Sequence, residues 1–239
     1  STVPGLSSAV VDHYRPQFAG IDSLDMAIVP GNKAERGEGT IRAILSYTGR
    51  PFPVYSRGRW CDAFGWMDAR SEDFGDIVGR RWLANVDVPD LELFVARYAI
   101  ADSVRFQAGL ELPILHLTMV AMAGLAKLRL IRNWAPFSGQ IARLSDLFMR
   151  FGSDIGGMQV RIMGRNDAGH AKNITWSLYA DKGVGPYIPT ISAVILTKKI
   201  LSGELDSVGA IPCLGLYKLD EFFPYADRLG IYFRETANA

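Results

Sequence analysis

The stretch "DMAIVPGNKAERGEGTIRAILSYTG", Asp25 to Gly49, decides how the rest of the chain is read. Asp25 to Val29 is a short apolar run that reads as a buried strand, ended by Pro30-Gly31. A helix is predicted from Glu38, because Ile41, Ile44, Leu45 and Thr48 recur at helical spacing until Gly49 stops it. Strand, glycine-rich turn and helix in that order invite comparison with a dinucleotide-binding loop. The spacing excludes it. That fingerprint needs Gly-x-Gly-x-x-Gly directly after the strand, so that the turn is tight and the backbone can approach a pyrophosphate. Here "PGNKAER" intervenes before Gly37, and Arg42 stands where the third glycine belongs. A smaller role stays open. Free N–H groups at Gly37, Gly39 and Thr40, helped by Arg36 and Arg42, would suit an anion; alternatively Thr40 or Glu38 caps the helix and the glycines only turn the chain.

Downstream, "PFPVYSRGRWCDAFGW" alternates about a Ser-Arg-Gly turn and predicts a hairpin rather than a second strand–helix–strand unit. Three later stretches alternate in the same way. In "RRWLANVDV", Trp82, Ala84 and Val86 oppose Arg81, Leu83, Asn85 and Asp87. In "VRFQAGL", Val104, Phe106 and Ala108 oppose Arg105 and Gln107. In "MQVRIMG", Met158, Val160 and Ile162 oppose Gln159 and Arg161, and "NDAG" then turns the chain into "NITWSLYA". Such alternation belongs to strands with one face on a core. The expected class is α+β: a mixed, mostly antiparallel sheet with helices packed mainly on one face.

The remaining helices follow from periodicity and caps. One runs from Leu6 towards Tyr14. "QIARLSDLFMRFG" aligns Ile141, Leu144, Phe148 and Phe151 and stops at Gly152; "TISAVILTKKILSG" ends on Lys198, Lys199 and Gly203; "LDEFFPYADRLG" starts on Asp220 as N-cap and stops at Gly230. No linker divides the chain, so 1–239 is expected as a single domain. Leu112 to Ala126 is uncharged for fifteen residues, short of the ~20 that a bilayer span requires. It reads as a buried helix, or as an oligomer or membrane-surface contact.

Composition excludes several function classes. Lys plus Arg (26) and Asp plus Glu (25) nearly cancel, which leaves no electrostatic footprint for nucleic acid. Cys61 and Cys213 have no Cys or His at metal-ligand spacing, so no metal site is expected and both read as buried free thiols of a reducing, cytoplasmic protein. His13, His116 and His170 fall in three unrelated contexts, and His116 reads as a core histidine. No nucleophile elbow, zinc motif or phosphate loop occurs, and the residues name no catalytic group. The chain opens on "STVPGLSSAVVDHY", without Met or a signal peptide, as expected of a piece of something longer.

Taken together, "TVPGLSSAVVD", "VPGNKAERGEGTIRAILSYTGRPF", "GRRWLANVDVPDLELF", "FGSDIGGMQV" and "GAIPCLGLYKLDEF" resemble the C-terminal portion of bacterial saccharopine dehydrogenase-like oxidoreductases. The resemblance runs from Thr2 to about Phe233. It implies a longer, two-domain protein in which an N-terminal Rossmann domain binds NADP or NAD, with no cofactor held by this chain alone. The C-terminal α+β domain would close the cleft over a small-molecule substrate and make a homodimer. Residues 1–20 would then cross from the Rossmann domain, with Pro4, Gly5, Ser7 and Ser8 near the nicotinamide end. Arg42, Arg81, Asn85 and Asp87 would face the substrate, or else be solvated or interfacial residues on the open sheet face. The Arg and Tyr set with which lysine-metabolism members grip a dicarboxylic adduct does not map here position by position, so the resemblance implies no particular substrate. The alternative is a non-catalytic scaffold of the same family, dimerising or touching a membrane surface through Leu112–Ala126.

Overall fold

The computed structural model describes residues 2–206 and 208–238; Ser1, Ser207 and Ala239 of the expected 1–239 domain lie outside the described residues. At the centre is β1 (Gly20–Val29), twice as long as the apolar run alone suggests. On one side it pairs in parallel with β6 (Ser103–Ala108), and on the other antiparallel with β7 (Gly156–Arg165). β7 turns through Asn166–Gly169 into β8 (Ala171–Ala180), which pairs with β9 (Tyr232–Asn238). Beyond β6 lie β5 (Arg80–Asn85) and β4 (Arg70–Asp73), completing the order β4-β5-β6-β1-β7-β8-β9. Among the paired strands of the described residues, only β1 and β6 run parallel. The α+β class with a mostly antiparallel sheet is therefore the observed architecture. The predicted hairpin is β2 (Pro51–Ser56) and β3 (Arg59–Phe64), a separate two-stranded sheet.

One face of the large sheet carries the main core. Leu24 and Met26 of β1, Phe106 of β6, Val160 and Ile162 of β7 and Trp176 of β8 are buried there. Against them pack α1 (Ser7–Tyr14), α3 (Asp90–Tyr98), α6 (Ile188–Leu201) and α7 (Leu219–Arg228), through side chains such as Val10, Phe94, Ile191 and Phe222. α2 (Glu38–Tyr47), α4 (Pro113–Lys127) and α5 (Ser138–Asp146) extend this layer beside the hairpin. Residues of the expected crossing segment are part of this core: Leu6, Val10, Val11, Tyr14 and Phe18 are all buried in it.

The opposite face is covered by the β4–β5 ribbon. β5 pairs with β6 at only two positions, Ala84↔Ala108 and Asn85↔Gln107, and the chain after β4 reaches beneath β7 and β8. There Phe74, Val78 and Leu83 bury with Ala27, Val29 and Tyr179 in a second small core, and the Tyr179 hydroxyl donates to the Phe74 carbonyl (2.9 Å). Both faces are thus partly enclosed, which is why Leu83 is as buried as Ala84, while Trp82 is exposed.

Three local expectations change. α7 is capped at Lys218, whose N–H donates to the Glu221 carboxylate (2.7 Å), so Asp220 lies inside the helix. α5 ends at Asp146, and residues 147–151 run as turns, with the carbonyls of Phe148 and Phe151 accepting from the Asn32 amide (2.8 and 3.0 Å). Cys61 is exposed on the hairpin rather than buried. α4 occupies the uncharged segment; among the described residues no helix is long and apolar enough to cross a membrane.

Candidate functional site

The polar residues of the alternating strands converge between the sheet and the β4–β5 ribbon. Strand register places Asp25 opposite both Arg105 and Arg161, and Ala27 opposite both Gln107 and Gln159. The ribbon lowers Arg70 onto this row. Its Nη2 donates to both oxygens of Asp25 (2.9 Å each), its Nη1 to Glu72 (2.7 Å) and its Nε to Gln107. Arg161 reaches Glu72 (2.9 Å) and Arg105 approaches Asp25 (3.7 Å). Gln107 passes the network on to Asn85 (3.0 Å), whose amide donates to Asp68 (2.7 Å). Arginine is suited to this arrangement because its planar fork serves several acceptors at once.

Beside this network, where β5 leaves β6, a cleft of about 330 Å³ opens between the sheet edge and the hairpin. Arg70, Asn85, Arg105 and Gln107 line it, with Asp68 and Asp62 at its acidic side and Tyr55 and Cys61 on the hairpin wall. Trp66 and Asp68 both have positive φ (58° and 55°), and backbone bonds between Trp66 and Asn85 (2.8 Å) and between Asn85 and Met67 (3.1 Å) hold that turn against the strand. Arg105 is about half exposed, and among the described residues its ion pair is the longer contact to Asp25. It is the cation best placed to meet a carboxylate entering the cleft, with Asn85 and Gln107 able to donate or accept beside it.

A second cluster lies at the far end of β1, where the loop after it meets the loop before β7. Glu111 accepts from the backbone of Asn32 (2.7 Å), the backbone of Ser153 (2.8 Å) and the Ser153 hydroxyl (2.8 Å), and pairs with Arg81 (3.3 Å). Burial pushes this carboxyl up, but those donors and the Arg81 charge outweigh it and hold it below the ordinary value. Arg36 donates to the Asn32 carbonyl (2.6 Å) and side chain (2.9 Å). These contacts fasten the two glycine-bearing loops together; they leave Glu111 and Asn32 little capacity for a ligand.

The sequence-derived residues do not form one site. Of Arg42, Arg81, Asn85 and Asp87, only Asn85 lines the polar cleft. Arg81 belongs to the Glu111 clasp. Arg42 is exposed on α2. Asp87 is exposed past the end of β5, its carboxyl raised by partial burial and then by Glu92. Pro4, Gly5, Ser7 and Ser8 are together, all buried at the start of α1. There Ser7 donates to Asp90 (2.6 Å), and Ser8 donates to the Gly5 carbonyl (3.0 Å) while accepting from the Gly215 N–H (3.0 Å). Gly37 and Gly39 face open space at the start of α2, with no side-chain cap bond. Among the described residues no group of His, Cys, Asp and Glu could hold a metal.

Asp25, Arg70, Glu72, Arg105, Gln107 and Arg161 were not singled out as binding residues from the sequence. The signal was a charged residue inside each apolar alternation, as at Arg105 and Arg161, and an acid heading the apolar run at Asp25.

No protein-family model matches this chain, and no curated protein matches its sequence. Solved structures do match its fold. One is the apo form of saccharopine dehydrogenase (L-Glu forming) from Saccharomyces cerevisiae, 14% identical, with a TM-score of 0.61 over 98% of this chain and 71% of that chain. At that identity the likeness is one of fold: the chain has a saccharopine dehydrogenase-like fold.

Proposed function

We propose that this chain is the C-terminal, substrate-side and dimerising domain of a saccharopine dehydrogenase-like, NAD(P)-dependent oxidoreductase. The observation that carries the reading is the arginine-bearing polar cleft at the sheet edge, on a fold that matches that enzyme's across nearly all of this chain. When bound, the nicotinamide supplies a hydride to, or takes one from, a carbonyl or imine carbon. This chain's residues do the rest. Arg105 receives a substrate carboxylate beside the Arg70–Asp25–Glu72 network, Asn85 and Gln107 orient its polar groups, and the Glu111–Arg81 clasp keeps the adjoining loops in place. Arg42 and Asp87, both exposed, face the other domain across the cleft, and the Pro4–Ser8 segment approaches the nicotinamide end. On this reading the dinucleotide is held by a Rossmann domain outside this chain, whose mark would be a strand followed at once by Gly-x-Gly-x-x-Gly.

Fluorescence titration with NADPH and NADH tests the reading. The whole protein should bind one of them saturably, and this chain alone should bind neither. A whole protein that binds neither nucleotide would sink the proposal.

A scaffold role is the second reading, favoured by the exposed apolar residues Ile114, Leu117, Leu125, Leu128 and Leu130 on and after α4. Sedimentation and liposome flotation separate the two: a chain that stays monomeric and ignores vesicles leaves the scaffold without support.

A further inference from the structure

Apart from the polar cleft, an apolar recess lies between three helices. α2, α4 and α5 enclose about 330 Å³, within the size range of small-ligand sites. Its floor is buried: Leu45, Trp66, Met119 and Met122. Its walls are Ile44 from α2 and Ile141 from α5, with the exposed side chains of Ile114 and Leu144 at the rim. This is a recess with sides, unlike the flat apolar surface that continues along α4.

One end of the recess is polar. Arg36, Ile41 and Ser145 line both it and a neighbouring open cleft of about 730 Å³. Arg36 is half-buried at this junction, its guanidinium pulled below the ordinary arginine value by burial, with Asp146 opposing. Its hydrogen bonds run from Nη2 to Asn32 and to the Met149 thioether, and no carboxylate of the described residues forms an ion pair with it. A desolvated cation without an ion-pair partner favours an anion. The outer cleft also carries Arg143 and the acids Glu35, Glu38 and Asp146, so its charges nearly balance. Arg36, at the neck, is the feature that selects.

We infer that this recess binds a single-chain amphiphilic carboxylate, its hydrocarbon tail between α2, α4 and α5 and its carboxylate on Arg36. Tail burial supplies the affinity and the guanidinium sets the orientation. The inference is independent of the oxidoreductase reading, since it needs neither nucleotide nor the polar cleft.

The test is calorimetric titration of the chain with dodecanoate, below its micelle concentration, and with dodecanol. Dodecanoate should bind at one saturable site, at least tenfold more tightly than dodecanol. Ser145→Trp, which fills the neck, and Ile114→Glu, which charges the rim, should each weaken dodecanoate at least tenfold with an unchanged circular dichroism spectrum. Arg36→Gln should remove the preference for acid over alcohol while dodecanol still binds. Absent or non-saturable binding overturns the proposal, as does binding that both Ser145→Trp and Ile114→Glu leave intact. A dimer that Ile114→Glu converts to monomer, without dodecanoate binding in either form, would overturn it in favour of an interface between two copies.

Discussion

The Ser7 hydroxyl donates to Asp90 Oδ2 at 2.6 Å in a fully buried setting, joining the first helix to the start of α3, while Asp90 Oδ1 has no partner. A buried carboxyl helped only by the Ser7 hydroxyl and its own backbone N–H, with no cation beside it, does not recover its lost hydration. Burial pushes it up to about 7, against the lowering effects of Ser7 and of the Asp90 backbone N–H.

The sign of the consequence is fixed. The folded state holds the Asp90 proton above the ordinary value of 3.8, so this group's contribution to stability falls as pH rises from about 4 to about 7. Asp90→Asn should remove that fall, leaving the variant more stable than the parent at pH 8 by up to roughly 4 kcal/mol. Urea unfolding at pH 4, 6 and 8 checks it; a parent and variant with parallel profiles would refute it.

His116 has the opposite slope. Burial lowers it to about 4, so the folded state excludes a proton that the unfolded chain accepts, and stability falls as pH drops from 6.5 towards 4. His116→Leu should remove that fall. Because the Asp90 and His116 slopes, each about 1.4 kcal/mol per pH unit at most, oppose one another, these two contributions should largely cancel in the parent over pH 4 to 6.5. Each single variant should expose the other group's slope.

The Glu111 clasp ties two loops together through three hydrogen bonds and the Arg81 charge. Glu111→Gln replaces one acceptor oxygen by a donor facing N–H and O–H groups, and about 2 to 4 kcal/mol of stability should be lost. The contribution is present above pH 4.5 and disappears as pH falls through the lowered value of this group. Faster amide exchange at Asn32 and Ser153 than in the parent is the local readout.

Gly31 stands where that clasp leaves no room. A Cβ there would lie 2.6 Å from the Asp154 carbonyl carbon and 2.7 Å from the Ser153 oxygen, both backbone atoms. Gly31→Ala should cost about 3 kcal/mol. Gly37→Ala is the control, since its Cβ meets nothing within 4 Å and its φ of −68° suits alanine. Equal midpoints for the two variants in thermal unfolding would contradict the geometry.

Arg105→Ala tests the polar cleft in the whole protein. The side chain is about half exposed, so folding should be unaffected. If it receives a substrate carboxylate, KM should rise tenfold or more with kcat changed much less. An unchanged KM would remove Arg105 from the site.

Much of the fold was legible because its signals are local. The alternations in "VRFQAGL" and "MQVRIMG" became β6 and β7, "PFPVYSRGRWCDAF" became the hairpin, and Gly49 ended α2. β4 and β9 were not read, since "RSED" and "YFRETAN" have little apolar alternation and become strands only by pairing with β5 and β8. The end of α5 was missed for a similar reason. A continuous apolar stripe argued for more helix, but residues 147–151 run as turns that Asn32, remote in sequence, holds by two of their carbonyls.

The site was less legible than the fold. Arg42, Arg81, Asn85 and Asp87 look alike in sequence, as polar residues beside apolar ones, yet they end in different surroundings. The sequence by itself determined the class of elements, the failure of the glycine stretch as a nucleotide loop, and the two-faced character of the strands, because side-chain spacing and glycine placement act within a few residues. Only the tertiary structure decided that Arg70 sits on Asp25, that Glu111 binds two loops together, and that α2, α4 and α5 leave a recess beside Arg36. Those contacts join residues tens of positions apart, and their energies depend on desolvation and register that no local window contains.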